Sequence, residues 1–354
     1  MTDVLVVSLG TTPGLRVADN MLIAMLREAG ASAEALSVGI GITDKARRGY
    51  PLNDFVEAVA ARRALASALR TRAQPRAVVF STTTTALLAS RPGIPYAVWL
   101  DSPAALNRPG ALNAPVRALE RRSLARARLV IPMGDVGAAA LPAGSAPHQV
   151  VPVPINPSGD PGGPRDPDLA VAYTPGSKAK GLDLLCAAWA RVARGSRRIE
   201  VFGIERAAAL AFLARRGVAE PPGVTFRGFA PAADFRAALR TARCFVSAAR
   251  WEDYGQAPLE ALRDGTLLVT APAGGPYEAL AIAGELDRDL VARDLEPASL
   301  AAAIEAAFQR DHASRVEYRR RAAARLEPYE WQACVSALRT RVLPILLDES
   351  PARS

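Results

Sequence analysis

Short apolar runs alternate with longer polar or alanine-rich stretches along the chain, and the alternation runs in two rounds. Runs too short for a helix, and bounded by Gly, Pro or Thr, predict buried strands; the stretches between them predict helices. In the first round the predicted strands are Asp3–Leu9, Ala77–Phe80, Tyr96–Leu100, Leu129–Pro132 and Gln149–Val153. A glycine-rich loop, Gly10-Thr-Thr-Pro-Gly14, follows the first, with a helix through about Ala29. Ser81–Thr85 predicts an N-cap for the helix after Phe80. In the second round the predicted strands are Leu169–Thr174, Ile199–Phe202, Val224–Arg227, Arg243–Ala249 and Leu267–Thr270. Helices are expected over Gly181–Arg194, Glu205–Arg216 and Ala232–Arg240, then onward to about Arg325, with a last helix at Glu330–Leu347. Strands that alternate with helices predict an α/β fold built on parallel sheets. Between the rounds lies Asn156–Pro167, rich in Pro, Gly and Asp, which predicts a linker. The expected domains are 1–156, a linker at 157–167, 168–329, and a terminal helix with a frayed tail at 330–354.

One segment carries more chemistry than the rest: Trp251-Glu-Asp-Tyr-Gly-Gln-Ala-Pro-Leu-Glu-Ala-Leu-Arg-Asp-Gly265. It follows a predicted strand and turns into a predicted helix. Gly255 lets the backbone approach a ligand closely, and Pro258 suits a first helical turn. The first N–H groups of such a helix have no partner within it and suit a phosphate. Glu252 then stands at the mouth of the loop. Glu260 lies about a turn into the helix, roughly 6 Å further along its axis. One carboxylate is placed to accept from sugar hydroxyls, the other to hold a ribose across a diphosphate.

This order of residues resembles the retaining glycosyltransferases of family 4, which have the GT-B fold of two doubly wound Rossmann-like domains facing across a cleft. Their two glutamates are separated by seven residues, with Gly shortly after the first and Glu-Ala at the second. Here those read Glu252-Asp-Tyr-Gly255 and Glu260-Ala261. Val224–Gly228, Leu267–Thr270 and the loop Gly274-Gly-Pro-Tyr-Glu278 match the strands and glycine loop around that motif. Lys180-Gly181 matches the lysine-glycine pair that opens a helix. The match is good over roughly residues 168 to 280.

The resemblance implies a donor site of Glu260 on the ribose, Lys180 on the diphosphate, and Glu252 near the reacting carbon. Lys178 and the backbone at Tyr254, Gly255 and Gln256 would assist at the phosphates. Gly10, Thr11 and Gly14 would approach donor or acceptor from the first domain. The last helix would cross back to that domain. Asp101 takes the place where the family often has histidine, and it is the candidate base if the chemistry needs one. The family's usual arginine, some six positions before the lysine, is missing: the place falls near Thr174.

Composition narrows the reading. At 354 residues, half of them apolar, the chain exceeds one typical domain. No apolar run is long enough to span a bilayer, and Met1–Val7 predicts a first strand, not a leader. Three scattered cysteines without ligand spacing argue for a reduced, cytoplasmic protein and against zinc. Asp287-Arg-Asp289 and Asp166-Pro-Asp168 resemble a metal–diphosphate pattern of another fold, in the wrong places, so neither metal nor cofactor is expected.

The net charge of +9 comes almost entirely from arginine; the lysines are Lys45, Lys178 and Lys180 alone. A basic chain suits an anionic partner. Sparse aromatics, not interleaved with the arginines, argue against nucleic acid. Arg117, Arg121, Arg122, Arg126 and Arg128 punctuate an amphipathic stretch. It reads as a solvated helix face or, alternatively, as peripheral docking on an anionic membrane with a lipid-linked acceptor. The leading expectation is transfer of a sugar from a nucleotide-diphosphate sugar to an acceptor. A phosphorylase-like or epimerase-like enzyme, a non-catalytic nucleotide-sugar-binding subunit or scaffold, and a basic nucleic-acid-binding module stand as alternatives.

Overall fold

The computed structural model describes residues 2–10, 13–39, 50–71, 74–89, 93–175 and 178–347. They form two compact units, one of Met1–Pro154 with Pro328–Ser354, the other of Ile155–Glu327.

Unit 1 holds a parallel sheet of β1 (Val4–Ser8), β2 (Ala33–Ser37), β3 (Ala77–Phe80), β4 (Tyr96–Leu100) and β5 (Leu129–Pro132). Their order is β2-β1-β3-β4-β5. Strands β1, β3 and β5 are buried along their whole length and β4 at all but its first residue, which is why they read as unbroken apolar runs. The crossovers are α1 (Pro13–Glu28), α2 (Leu52–Thr71), α3 (Thr83–Ala86), α4 (Ala104–Asn107), α5 (Ala114–Arg126) and α6 (Asp135–Ala139). Right-handed connections put α1 on one face of the sheet and α2, α3 and α5 on the other, because the chain moves outward from β1 in opposite directions. Thr82 caps α3 and forms a capping box with Thr85.

Unit 2 repeats the plan with β6 (Leu169–Tyr173), β7 (Arg198–Phe202), β8 (Val224–Gly228), β9 (Cys244–Ser247) and β10 (Leu267–Thr270). The order is β10-β9-β6-β7-β8, again parallel. Its helices are α7 (Leu182–Val192), α8 (Arg206–Arg215), α9 (Ala232–Thr241), α10 (Gln256–Arg263), α11 (Glu278–Leu286), α12 (Pro297–Gln309) and α13 (His312–Arg325).

Three expectations need correcting. Gln149–Val153 is not a strand. Val130 and His148 form a single bridge, and Pro152 and Pro154 supply no N–H with which to extend it. The fifth strand of unit 1 is instead the edge strand Ala33–Ser37, whose pattern is mostly exposed and therefore carried no apolar run. Nor is Asn156–Pro167 a free linker. Ser158 donates backbone and side-chain hydrogen bonds to Asp264, and Arg165 bonds the carbonyls of Leu239, Ala242 and Asp264. The segment is therefore part of unit 2.

After Glu327 the chain returns to unit 1 as α14 (Trp331–Ala337), a π-helical stretch at Leu338–Val342, and α15 (Leu343–Leu346). The predicted single helix is thus interrupted. Pro344 has no N–H for the carbonyl four residues back, and the widened turn lies just before it. Trp331 and Gln332 hydrogen-bond the Glu28 carboxylate at the end of α1, at 2.6 and 2.8 Å.

Candidate functional site

In unit 2, β6 and β9 are neighbours at the middle of the sheet. From β6 the chain moves towards β7, and from β9 it moves towards β10, so their following loops part to opposite faces. Such a switch point leaves a crevice beyond the carboxyl ends of the strands, where open α/β sheets take ligands. The β6–α7 loop carries Lys180 and the β9–α10 loop carries Glu252. Lys180 Nζ lies 2.6 Å from both Glu252 carboxylate oxygens.

Backbone chemistry locks the two loops together. The N–H groups of Arg250 and Trp251 both point to the Ala179 carbonyl, at 2.7 and 3.3 Å. Arg250 also reaches the Asp183 carboxylate with two hydrogen bonds, 2.7 and 3.1 Å, at the first turn of α7. Gly181 sits at φ +67°, and a Cβ there would stand 1.9 Å from the Ala248 carbonyl oxygen. Only glycine permits that approach. On the other side, Glu252 N–H donates to Gly274 O and Gly274 N–H to Arg250 O.

Gly255, at φ +84°, precedes α10, and a Cβ on it would strike the Tyr277 ring at 2.5 Å. Tyr277 is fully buried and its hydroxyl lies 3.2 Å from Thr270 Oγ1. The loop is therefore pressed against a ring fixed from below, and the free N–H groups of the first turn of α10 open at the same end of the sheet as Lys180.

Burial pushes the Glu252 carboxyl above the usual range, with Lys180 pulling it back. Glu260 is likewise raised by burial and opposed by Arg236, whose Nη1 is 3.8 Å away, and by a 3.3 Å hydrogen bond from Gln256. Tyr173, at the end of β6, has its phenol raised by burial and, after that, by the Glu260 charge. The residue is 40 % exposed, and its ring packs on Phe235 with centroids 5.3 Å apart.

The structure thus brings Lys180, Glu252, Gly255, Gln256 and Glu260 to one end of one sheet. Tyr254 is buried and Lys178 exposed. Asp101, Gly10 and Gly14 belong to unit 1. Asp101 ends β4 and accepts a 2.7 Å hydrogen bond from the Ser102 N–H. Gly10, at φ +55°, offers its carbonyl to Arg16. Gly14 lies in the first turn of α1 and not in the preceding loop, while Thr11 falls outside the described residues.

Sequence reasoning passed over Tyr173, Arg236, Asp183 and Tyr277. Each owes its place to strands or helices far away in the chain, and no spacing rule links them to the glutamates. It also passed over Ser8 and Asp19 at the corresponding switch point of unit 1, where the Ser8 hydroxyl donates to a buried Asp19. Two arginines of the site's loops and flanking helix are held by carboxylates, Arg250 by Asp183 and Arg236 by Asp264. The paired aspartates noted above are engaged with cations, Asp287 and Asp289 with Arg310 and Asp166 with Arg198.

A family model described as glycosyl transferases group 1 matches residues 169–310, a range that contains the whole Lys180–Glu252–Glu260 arrangement. No curated protein matches the sequence. Among solved structures, sucrose-phosphate synthase from Thermosynechococcus elongatus is similar with a TM-score of 0.72 at 14% identity, covering 96% of this chain and 97% of that one. An α,α-trehalose-phosphate synthase (UDP-forming) from Burkholderia xenovorans, in complex with glucose-6-phosphate, gives 0.70 at 12% identity, with 94% and 98% covered. Anabaena HepE in complex with UDP and glucose gives 0.63 at 16%, with 96% and 98% covered. The fold is that of the GT-B glycosyltransferases.

Proposed function

We propose that the protein is a glycosyltransferase that takes its sugar from a nucleotide-diphosphate donor held in unit 2. The observation that carries this reading is the Lys180–Glu252 pair at the switch point, beside the open N-terminus of α10. A largely buried carboxylate touching a part-exposed ammonium loses solvation that its contacts must make up. Lys180 supplies a point charge for the diphosphate and offsets the negative charge that grows as the leaving group departs. The first N–H groups of α10 add to it. Glu252 orients Lys180 and accepts from hydroxyls of the donor sugar. Glu260 accepts from the ribose hydroxyls, and the exposed Tyr173 at the end of β6 offers a ring face to the base.

In this reading the chemistry proceeds with retention, the departing phosphate taking the acceptor proton, so Asp101 is not required as a base. Retention is supported by likeness of fold to a trehalose-6-phosphate synthase studied for glycosyltransfer with retention. Lys180 and the helix terminus fill the role that a divalent metal has in other sugar transferases.

The test is donor turnover and a thermal-shift screen with UDP-, GDP-, ADP- and TDP-sugars, each with EDTA or with magnesium. One nucleotide sugar should raise the melting temperature by mass action, equally with and without metal. Lys180→Ala and Glu252→Gln should each lower turnover on the order of 10²-fold or more, and Glu260→Ala should abolish the shift. Unchanged turnover in both of the first two variants would remove the proposal; a shift without turnover would leave a binding protein in its place.

A further inference from the structure

Helix α9 packs against α10. Phe235 and Leu239 of α9 are buried in the core, and an arginine follows each of them. On α10, Glu260 and Asp264 stand four positions apart, so two carboxylates lie on one side of that helix. Like charges at this spacing repel, and Asp264 is fully buried. Arg236 meets both acids. Its Nε and Nη2 donate to the two Asp264 oxygens at 2.6 and 2.7 Å, while its Nη1 lies 3.8 Å from Glu260 Oε1. Gln256 donates to that same Glu260 oxygen at 3.3 Å. Among the described residues, Oε2 of Glu260 accepts no hydrogen bond, so one oxygen is tied from behind and the other is left for a ligand.

The same two side chains hold the start of unit 2. Arg236 Nη2 also donates to the Asn156 carbonyl at 2.9 Å. Ser158 gives its N–H and its hydroxyl to Asp264, at 2.8 and 2.7 Å, and Arg240 donates to the Ser158 carbonyl at 3.1 Å. Ile155 is the first residue of unit 2, so these are the residues by which the chain enters it. One guanidinium thus reaches the carboxylate proposed for the ribose, the buried acid a turn below it, and the entering segment. Arginine suits such a junction, because its planar fork serves several acceptors in fixed directions, which the point charge of lysine does not. Burial raises the Glu260 carboxyl; Arg236 is the first influence against that rise and Gln256 the second, while Asp264 adds to it. Tyr173 of β6 also feels the Glu260 charge.

We infer that Arg236 is the positioning residue for Glu260, turning Oε2 towards a ribose hydroxyl of the donor, and that it carries donor occupancy to residues 156–158, which become more rigid when the donor is bound. A hydroxyl on Oε2 narrows the range of positions open to the carboxylate. The guanidinium beside it is narrowed in turn, and so is the carbonyl that the guanidinium holds. The inference rests on the reading of unit 2 as the donor site, and it adds a residue from α9 that touches no part of the donor.

Affinities of the full chain for UDP, GDP and ADP at several pH values, with amide hydrogen exchange over residues 156–160, test it. Whichever nucleotide binds the native protein should bind Arg236→Gln more weakly, on the order of tenfold. The loss should be greatest at low pH, because without the guanidinium the Glu260 carboxyl takes up a proton more readily. In a Glu260→Gln background the same substitution should weaken binding no further, since both changes act through one carboxylate. The nucleotide should slow exchange over 156–160 in the native protein and not in Arg236→Gln. That variant leaves the buried Asp264 charge without its arginine. Arg236→Gln/Asp264→Asn removes both charges, keeps hydrogen-bonding groups in place, and should show the same loss of affinity. Undiminished affinity in both variants, losses that add to that of Glu260→Gln, or exchange over 156–160 indifferent to the nucleotide would overturn the inference alone. A native protein that binds none of the three nucleotides would remove the donor reading of unit 2, and the inference with it.

Discussion

Glu120 shows how one side chain can tie an element down and make that tie depend on pH. Both its oxygens lie 2.9 Å from the Ala104 N–H, fixing the start of α4 to the middle of α5. Burial pushes its carboxyl up to about 7, against the backbone N–H, Thr83 and Arg108, with Asp54 adding to the rise. The folded-state value is raised above the ordinary 4.5. Its contribution to stability is therefore complete below about 4.5 and lost as pH rises through about 7. Glu120→Gln keeps an acceptor without the buried charge. The variant should gain on the native protein as pH goes from 5 to 8, by up to roughly 3 kcal/mol, since each tenfold change in a protonation equilibrium is worth about 1.4 kcal/mol. Urea denaturation at several pH values reads this directly, and a gap that does not change with pH would show that Glu120 is ionised throughout. Glycine at 181 and at 255 belongs to this scale too, where a single Cβ is incompatible with the site.

At the scale of elements, the candidate site is made by two loops that clasp each other rather than by one motif. The Arg250–Asp183 pair is the side-chain part of the clasp, and Asp183 also stands in the first turn of α7, where negative charge is favoured. Arg250→Ala removes two charge-assisted hydrogen bonds but leaves Asp183 beside the helix N-terminus. The expected loss is about 1–3 kcal/mol, with faster amide hydrogen exchange over residues 178–184 and 250–256 and slower donor turnover. Exchange that rises evenly through the whole of unit 2 would mean that Arg250 supports the unit and not the clasp. The elements were readable where one residue type dominated them: buried strands as unbroken apolar runs, α10 from Gly255 and Pro258. Ala33–Ser37 escaped because an edge strand is half polar. Gln149–Val153 misled because Val151 and Val153 are buried without belonging to a ladder.

For the whole molecule, the return of the chain after Glu327 is the decisive feature. Leu338, Val342 and Leu346 are fully buried in unit 1, so residues 1–154 lack part of their own core. Residues 155–327 expressed alone should unfold cooperatively in urea, whereas residues 1–154 should not do so without 328–347. A cooperative transition in the 1–154 fragment would show that the terminal helices only decorate it. The two-round alternation by itself determined the α/β class, the parallel sheets and the glutamate segment, because period and glycine placement are local properties. The pairing of Lys180 with Glu252 is another matter, since 72 positions separate them. Only tertiary structure decided it, by making β6 and β9 neighbours. The same holds for Arg236 beside Glu260. Contacts across a sheet depend on strand order, and strand order leaves no mark on the spacing of residues along the chain.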